Sequence, residues 1–424
     1  MIIPSIDIMD GQAVQLVGGR ERALEAGDPL AIAERFAVAG DLAVIDLDAA
    51  LGRGSNTDLI AKLVRRFPCR VGGGIRSVDD ALAWLDRGAQ RVILGTMATP
   101  EFLGELPRER VMVALDGVDG KVVVEGWRRG TGARVIDRVR ELRQVVGSFL
   151  VTFVEREGRL GGIDLDAARR VVEAAGGTPV TIAGGVTTAQ EVAELDRIGA
   201  DAQVGMAIYT GRLTLAEAVA APLVSDRADG LWPTVIVDER GVALGLAYSN
   251  IDSLQRAIDD RRGVYHSRSR GLWVKGETSG ATQELLRVDL DCDRDALRFT
   301  VRQRGEGFCH RGTWTCWGAD GGLGQLERLL NRRIAEAPPA SYTARLAGDE
   351  ALRAAKLVEE AGELGRASTP AEVVWEAADL LYFTVAALAA RGLDMAAVMA
   401  ELDRRRLAVR RRDGSRTFKS GEDA

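Results

Sequence analysis

Short runs of Val, Ile and Leu alternate with helical stretches from residue 1 to about 222, and this alternation predicts a parallel α/β sheet. The pattern also repeats. Asp7 follows Ile2, Ile3 and Ile6, while Asp116 follows Val111, Val113 and Leu115. Gly72-Gly73-Gly74 and Ala183-Gly184-Gly185 each follow a strand, and Leu94-Gly95 is matched by Val204-Gly205. The spacings are 109 residues from Asp7 to Asp116, 111 from Gly73 to Gly184 and 110 from Gly95 to Gly205. Two half-units of about four βα pairs close into a (β/α)8 TIM barrel, whose active site lies at the carboxyl ends of its strands. Asp7 and Asp116 are then expected to face each other across the mouth.

The pattern changes after a small, polar loop from Ser225 to Gly230. Strands are expected around Thr234 to Val237 and Val242 to Ala247, followed by a helix from Ile251 to Asp260. Further on, Leu286, Val288, Leu290 and Cys292 alternate in one parity and Leu297, Phe299 and Val301 in the other. That break predicts two strands joined by a tight turn whose tip carries Asp291, Asp293 and Asp295. Residues 225–320 therefore read as a small, β-rich α+β domain. A glycine-rich link from Gly318 to Gly324 leads into residues 323–424, which read as helices throughout and predict an all-α bundle. The tail after Arg411 is charged and is expected to fray.

Composition narrows the classes. With 46% apolar and 28% charged residues, the chain has the make-up of a globular protein of several domains. A net charge of -6 with mixed signs provides no basic patch for nucleic acid or an anionic membrane, so neither is expected as a partner. Three of the four cysteines lie in one cluster, which argues against a disulfide framework and for a reducing compartment. Met-Ile-Ile-Pro-Ser-Ile-Asp reads as a strand and not a signal peptide, and no apolar run reaches the ~20 residues of a membrane span. A cytoplasmic location is expected.

Four stretches carry candidate chemistry. At the barrel mouth, Gly73, Gly74, Gly184, Gly185, Gly95 and Gly205 would offer backbone N–H groups to two phosphates. Asp7 and Asp116 between such clamps suit proton transfer on an elongated bisphosphate. Residues 266–280 combine Arg268, Arg270, Lys275, glycines and hydroxyls such as Ser279 into an anion cradle. At the hairpin tip, crowded carboxylates call for a hard cation, whereas Cys292, Cys309 and Cys316 suit zinc with a fourth position open to water. His310, beside a zinc thiolate in sequence, is the candidate proton carrier. In the last segment, Glu359 and Glu363 share one helix face and Glu376 and Asp379 another. Val358, Ala377, Leu380 and Leu381 are expected to bring these faces to the helix contact, where magnesium would relieve acids that are costly to bury unpaired.

The first segment resembles the histidine-biosynthetic barrel isomerase acting on phosphoribosylformimino-aminoimidazole carboxamide ribotide (ProFAR). The likeness rests on residues 2–7, Asp46-Leu47-Asp48, Gly72 to Ser77 with Arg76, Asp116 with Asp119-Gly120, Gly126-Trp127, and Gly205 to Gly211. It implies an Amadori rearrangement with Asp7 and Asp116 as acid and base and Thr152 nearby. Gln15, Ala43 and Glu157-Gly158-Arg159 depart from the family pattern, where arginine, histidine and Asp-Gly-Thr are usual.

The middle segment resembles phosphoribosyl-AMP cyclohydrolase in Ser267-Arg268, Trp273 to Gly280, Asp291 to Asp295, and Cys309-His310 through Cys316. That resemblance implies zinc on the three cysteines, magnesium on Asp291, Asp293 and Asp295, and a homodimer whose zinc ligands come from two subunits. The last segment is similar to the helical phosphoribosyl-ATP pyrophosphohydrolases, in Ser341-Tyr342-Thr343, in the run Lys356 to Glu363 that includes Glu360, and in Glu376 to Tyr382. It implies magnesium-assisted release of pyrophosphate. Phe383 stands where a histidine is often found.

Together these point to a trifunctional histidine-biosynthesis enzyme acting on phosphoribosyl substrates. Two other readings stay open. One is a bifunctional cyclohydrolase and pyrophosphohydrolase whose barrel is inactive or altered in substrate. The other is a structural zinc module on a scaffold barrel; four closed protein ligands on the zinc would favour it.

Overall fold

The computed structural model describes residues 1–19, 21–267, 269, 271–336, 338 and 341–409. The chain divides into two compact units. Met1–Ile236, Leu246–Arg302 and the described residues from Arg404 make the first, and Val237–Gly245 with Gln303–Asp403 the second.

The first unit contains the barrel. Strand β1 (Ile2–Met9) is followed by a hairpin of β2 (Gln12–Val17) and β3 (Glu21–Gly27), then by β4 (Leu42–Asp46), β5 (Cys69–Gly72) and β6 (Arg91–Leu94). The second half repeats the plan with β7 (Val111–Val118), a hairpin of β8 (Lys121–Val124) and β9 (Arg129–Arg134), then β10 (Ser148–Phe153), β11 (Val180–Ala183) and β12 (Ala200–Val204). Leaving the hairpins aside, the remaining strands run parallel and close on themselves. Strand β1 pairs with both β4 and β12, and β7 with both β6 and β10. Every residue of β5 and of β11 is buried, as expected of strands covered on both faces.

The internal repeat is physical as well as textual. Each half closes its third βα turn with a capping box, Ser77 with Asp80 over Val78–Arg87 and Thr188 with Glu191 over Ala189–Arg197. Such a cap contributes about 1 kcal/mol by satisfying backbone N–H groups at the helix start. Ile93, Met112, Leu150 and Ala183, one from each of four barrel strands, pack as a buried cluster.

The middle segment is β-rich, as expected. Strands β13 (Trp232–Asp238), β14 (Ala243–Ser249), β15 (Val264–Ser267), β16 (Gly271–Val274), β17 (Gln283–Leu290) and β18 (Leu297–Gln303) form a four-stranded sheet in the order β14-β13-β18-β17 and a β15-β16 pair. The helix Ile251–Asp260 lies where the sequence predicts it, with Asn250 and Ser253 as its capping box. Tyr265 is fully buried, with its ring 5.5 Å from that of Phe299 and its hydroxyl donating to Gln283 at 2.7 Å.

The second unit holds the helical region. Gly322–Glu336, Tyr342–Gly348, Glu350–Arg366 and Pro370–Ala389 lie wholly in it, and Met395–Leu407 mostly so. Leu330, Leu346, Phe383, Val385, Ala386, Ala389 and Met395 form its core. Phe383, at the position where histidine is often found, is thus a core residue. The buried Glu327 accepts from the Arg240 guanidinium and from the Met395 N–H, so its charge is paired. Among the described residues, no helix is long and apolar enough to cross a membrane.

Candidate functional site

At the barrel mouth a cavity of ≈ 490 Å³ opens between the strand ends. Asp7 and Asp116 both line it, each the sixth residue of an eight-residue strand, so the repeat delivers two carboxyls from equivalent places. Gly73, Gly74, Gly184, Gly185 and Gly205 line the same cavity, as does Arg76. Gly73 and Gly74 have φ of +96° and +71°, and Gly184 and Gly185 +88° and +95°, a region that side chains rarely adopt.

Burial pushes the Asp7 carboxyl up to about 7. Burial raises Asp116 too, opposed by hydrogen bonds from Trp127 and Thr152, the latter facing it across the β7–β10 pair. Both carboxyls thus hold a proton more readily than ordinary aspartates. A third acid completes the mouth. Glu157 is pushed up to about 8 by burial and then by the charges of Asp7 and Asp116. In the sequence Glu157 is visible only as one methylene too many in a family motif, and Trp127 only as part of one.

The hairpin forms as expected, with β17 and β18 flanking Asp291 to Ala296. Asp291, Asp293 and Asp295 each offer an oxygen within 4.8 Å of the others. Burial pushes Asp291 up, but the backbone N–H of Ala296 and contacts from Asp295 outweigh it and hold this carboxyl low. Asp295 is raised by its hydrogen bond with Asp291 and then by the charge of Asp293. Three carboxylate oxygens this close together fit a divalent cation. Cys292, at the same tip, is exposed.

Cys309 and Cys316 belong to a tight loop of the second unit. Cys309 donates its backbone N–H to Thr313 and Phe308 to Trp314, both at 3.1 Å, and Cys316 donates to Leu244 at 2.8 Å. The Arg311 N–H, then the Thr313 hydroxyl and Cys316, draw the Cys309 thiol below its ordinary range, toward the thiolate that binds soft metals. His310 is exposed beside it. In the anion-cradle stretch, Arg268 lies outside the described residues. Lys275 is buried and donates from Nζ to the Ala281 carbonyl at 2.9 Å, while Ser279 accepts from the Ala281 N–H at 3.3 Å.

In the helical unit, oxygens of Glu360, Glu363 and Glu376 lie within 4.8 Å of one another. Burial raises both Glu360 and Glu376, and Glu363 adds to both shifts, with Asp379 contributing. Such a set fits magnesium. Glu359 is exposed and pairs with Lys356 at 2.8 Å. The expectation that Val358 and Leu381 mark the buried faces is corrected, since they are 74% and 43% exposed. Helical phase explains this, because the face carrying Glu360 and Glu363 turns Glu359 and Val358 outward.

Three family models match the chain in succession. "Histidine biosynthesis protein" matches residues 1–214, "Phosphoribosyl-AMP cyclohydrolase" 245–318 and "Phosphoribosyl-ATP pyrophosphohydrolase" 323–406. A histidine biosynthesis trifunctional protein of Neurospora crassa is 37% identical over 359 residues, covering 82% of this chain and 38% of the relative. A histidine biosynthesis bifunctional protein of Schizosaccharomyces pombe is 46% identical over 203 residues, 48% of this chain and 49% of the relative. An imidazole-4-carboxamide isomerase of Methanosphaerula palustris is 41% identical over 233 residues, 52% of this chain and 98% of the relative. The chain thus spans well under half of the trifunctional relative and about half of the bifunctional one.

Proposed function

The chain belongs to the histidine biosynthesis protein family, and from that premise we propose that it runs three consecutive reactions on phosphoribosyl substrates. Phosphoribosyl-ATP loses pyrophosphate in the helical region, the adenine ring of phosphoribosyl-AMP is opened in the middle region, and the product ProFAR is isomerised to its aminoketose in the barrel.

The observation that carries the barrel reading is a single cavity holding Asp7 and Asp116 between equivalent glycine loops. One carboxyl protonates the ribosyl ring oxygen as the C1–O bond opens. The nitrogen on C1 supplies the electron pair that makes the opened C1 an iminium, the other carboxyl takes the proton from C2, and the enolamine becomes the aminoketose as C1 gains a proton and the C2 hydroxyl loses one. Burial raises the Asp7 carboxyl to about 7, which suits it to hold a proton near neutral pH, and raises Asp116 as well. Thr152 and Trp127 orient Asp116, and the glycine loops with Arg76 hold the two phosphates.

In the middle region Cys292, Cys309 and Cys316 would hold zinc, which when bound lowers the pKa of a water to about 7 and supplies hydroxide for the adenine C6. The N–H of Arg311 and hydroxyl of Thr313 keep Cys309 ready to ligate, and His310 moves the proton. Asp291, Asp293 and Asp295 would hold magnesium, with Arg268, Lys275 and Ser279 on the substrate's anionic side. The ligands are shared across a homodimer in the cytoplasm. Glu360, Glu363, Glu376 and Asp379 would hold the magnesium that stabilises charge during cleavage between the α and β phosphates. Glu157, a half-buried third acid at the mouth whose proton affinity Asp7 helps to raise, favours a second reading in which the barrel takes an altered substrate.

One assay tests all three. The pure chain given phosphoribosyl-ATP should form the aminoketose, Asp7→Asn should stop at ProFAR with a loss of about 10³-fold or more in the last step, and Cys309→Ser should stop at phosphoribosyl-AMP. An Asp7→Asn protein that converts ProFAR as fast as the parent removes the barrel assignment.

A further inference from the structure

The hairpin tip is tied to the barrel through one side chain. Arg294 lies between Asp293 and Asp295, and its backbone is left-handed, with φ +65°, a conformation that ordinarily costs a non-glycine residue about 1 kcal/mol or more. Its guanidinium forks onto Asp196, at the end of the barrel helix Ala189–Arg197. Nη2 donates to Oδ1 at 3.0 Å, and Nε to the two carboxylate oxygens at 3.3 and 3.2 Å. The remaining nitrogen, Nη1, donates to the Asp291 carbonyl at 2.6 Å. The Arg294 carbonyl accepts from the Val224 N–H at 2.8 Å, so the chain leaving the barrel also fastens the tip. Both charged partners are mostly shielded from water, with side chains 25% and 16% exposed.

An arginine amid three carboxylates is a rival to any metal. Left free, its planar fork could swing onto Asp293 or Asp295 and neutralise the charge that attracts a divalent ion. We propose that Asp196 is a positioning residue for the cation site at the tip: it takes up the Arg294 guanidinium, so that the carboxylates of Asp291, Asp293 and Asp295 are not neutralised by it and stay available to the metal. The inference rests on the proposed binding of a divalent cation at the tip. It gives the barrel a task in the neighbouring reaction that does not involve its own mouth, because Asp196 ends a helix on the face opposite the strand ends that line the cavity.

The test uses the full chain carrying Glu363→Gln and Glu376→Gln, which removes two of the three clustered helical acids, and titrates it with Mn2+ by electron paramagnetic resonance. Asp196→Asn in that background should weaken Mn2+ binding about tenfold, and Asp196→Glu should recover most of the loss. In the otherwise unaltered chain, Asp196→Asn should raise the magnesium midpoint of cyclohydrolase activity by the same factor, with the rate at saturating magnesium and the isomerase rate unchanged. Unchanged Mn2+ affinity in Asp196→Asn overturns the proposal, and so does a loss that persists when Arg294→Gln, which removes the competing guanidinium, is added to Asp196→Asn. If the parent tip takes no Mn2+, and Asp291→Asn alters nothing, the cation reading itself falls and the inference with it.

Discussion

Gly73 and Gly184 occupy the same place in the two halves of the barrel: a β-carbon on Gly73 would fall 2.2 Å from the Asp46 carbonyl oxygen, and one on Gly184 2.4 Å from that of Phe153. Both clashes are with backbone, which cannot swing aside as a side chain can. Gly73→Ala and Gly184→Ala should therefore each distort one glycine loop, and each should weaken substrate binding in the isomerase step about tenfold or more, or ~1.4 kcal/mol. Steady-state kinetics on both variants checks this. An effect from only one would mean that the halves do not share the work.

Glu157 makes stability depend on pH in a direction opposite to that of a salt-bridged acid. Its ordinary value is 4.5 and burial raises it to about 8, so over that window the folded protein holds a proton that the unfolded chain has released. Stability then falls as pH rises from about 4.5 to about 8 and levels off above, and Asp7, raised from 3.8 to about 7, adds a slope of the same sign. Glu157→Gln should melt higher than the parent at pH 8, with the gap closing toward pH 4.5. A gap constant across that range would show that the acid does not titrate as its burial demands.

The helical acids divide sharply. Glu363 belongs to the cluster with Glu360 and Glu376, whereas Glu359 is turned out toward Lys356. Glu363→Gln should lower pyrophosphate release about 100-fold, and Glu359→Gln no more than about threefold, the scale of a lost surface ion pair. Comparable losses in the two variants would put Glu359 back among the magnesium ligands.

Much of this was legible in the sequence because the repeat is a matter of spacing, and spacing survives folding. The offsets between Asp7 and Asp116 and between Gly73 and Gly184 anticipated the two-halved barrel, and the parity switch around Arg294 anticipated the hairpin. The paired hairpins after β1 and β7 were not anticipated, since alternation alone does not distinguish a barrel strand from an excursion. The helical phase expected at Val358 is off by one residue, because with Glu359 and Glu360 adjacent either can share a face with Glu363, and the apolar neighbours are too few to fix which side faces inward. The link between Arg294 and Asp196 joins residues 98 apart and carries no local pattern at all.

The duplicated mouth has a further consequence. A scaffold of two matching halves cannot tell head from tail in a molecule that bears a phosphate at each end, and such a molecule could load backwards. Polarity must come from whatever lacks a counterpart at the mouth: Trp127, Glu157, and Arg76, whose place in the other half is taken by Thr187. On the proposed reading, a few unmatched side chains decide which way round the ligand lies, and the architecture decides only that it fits.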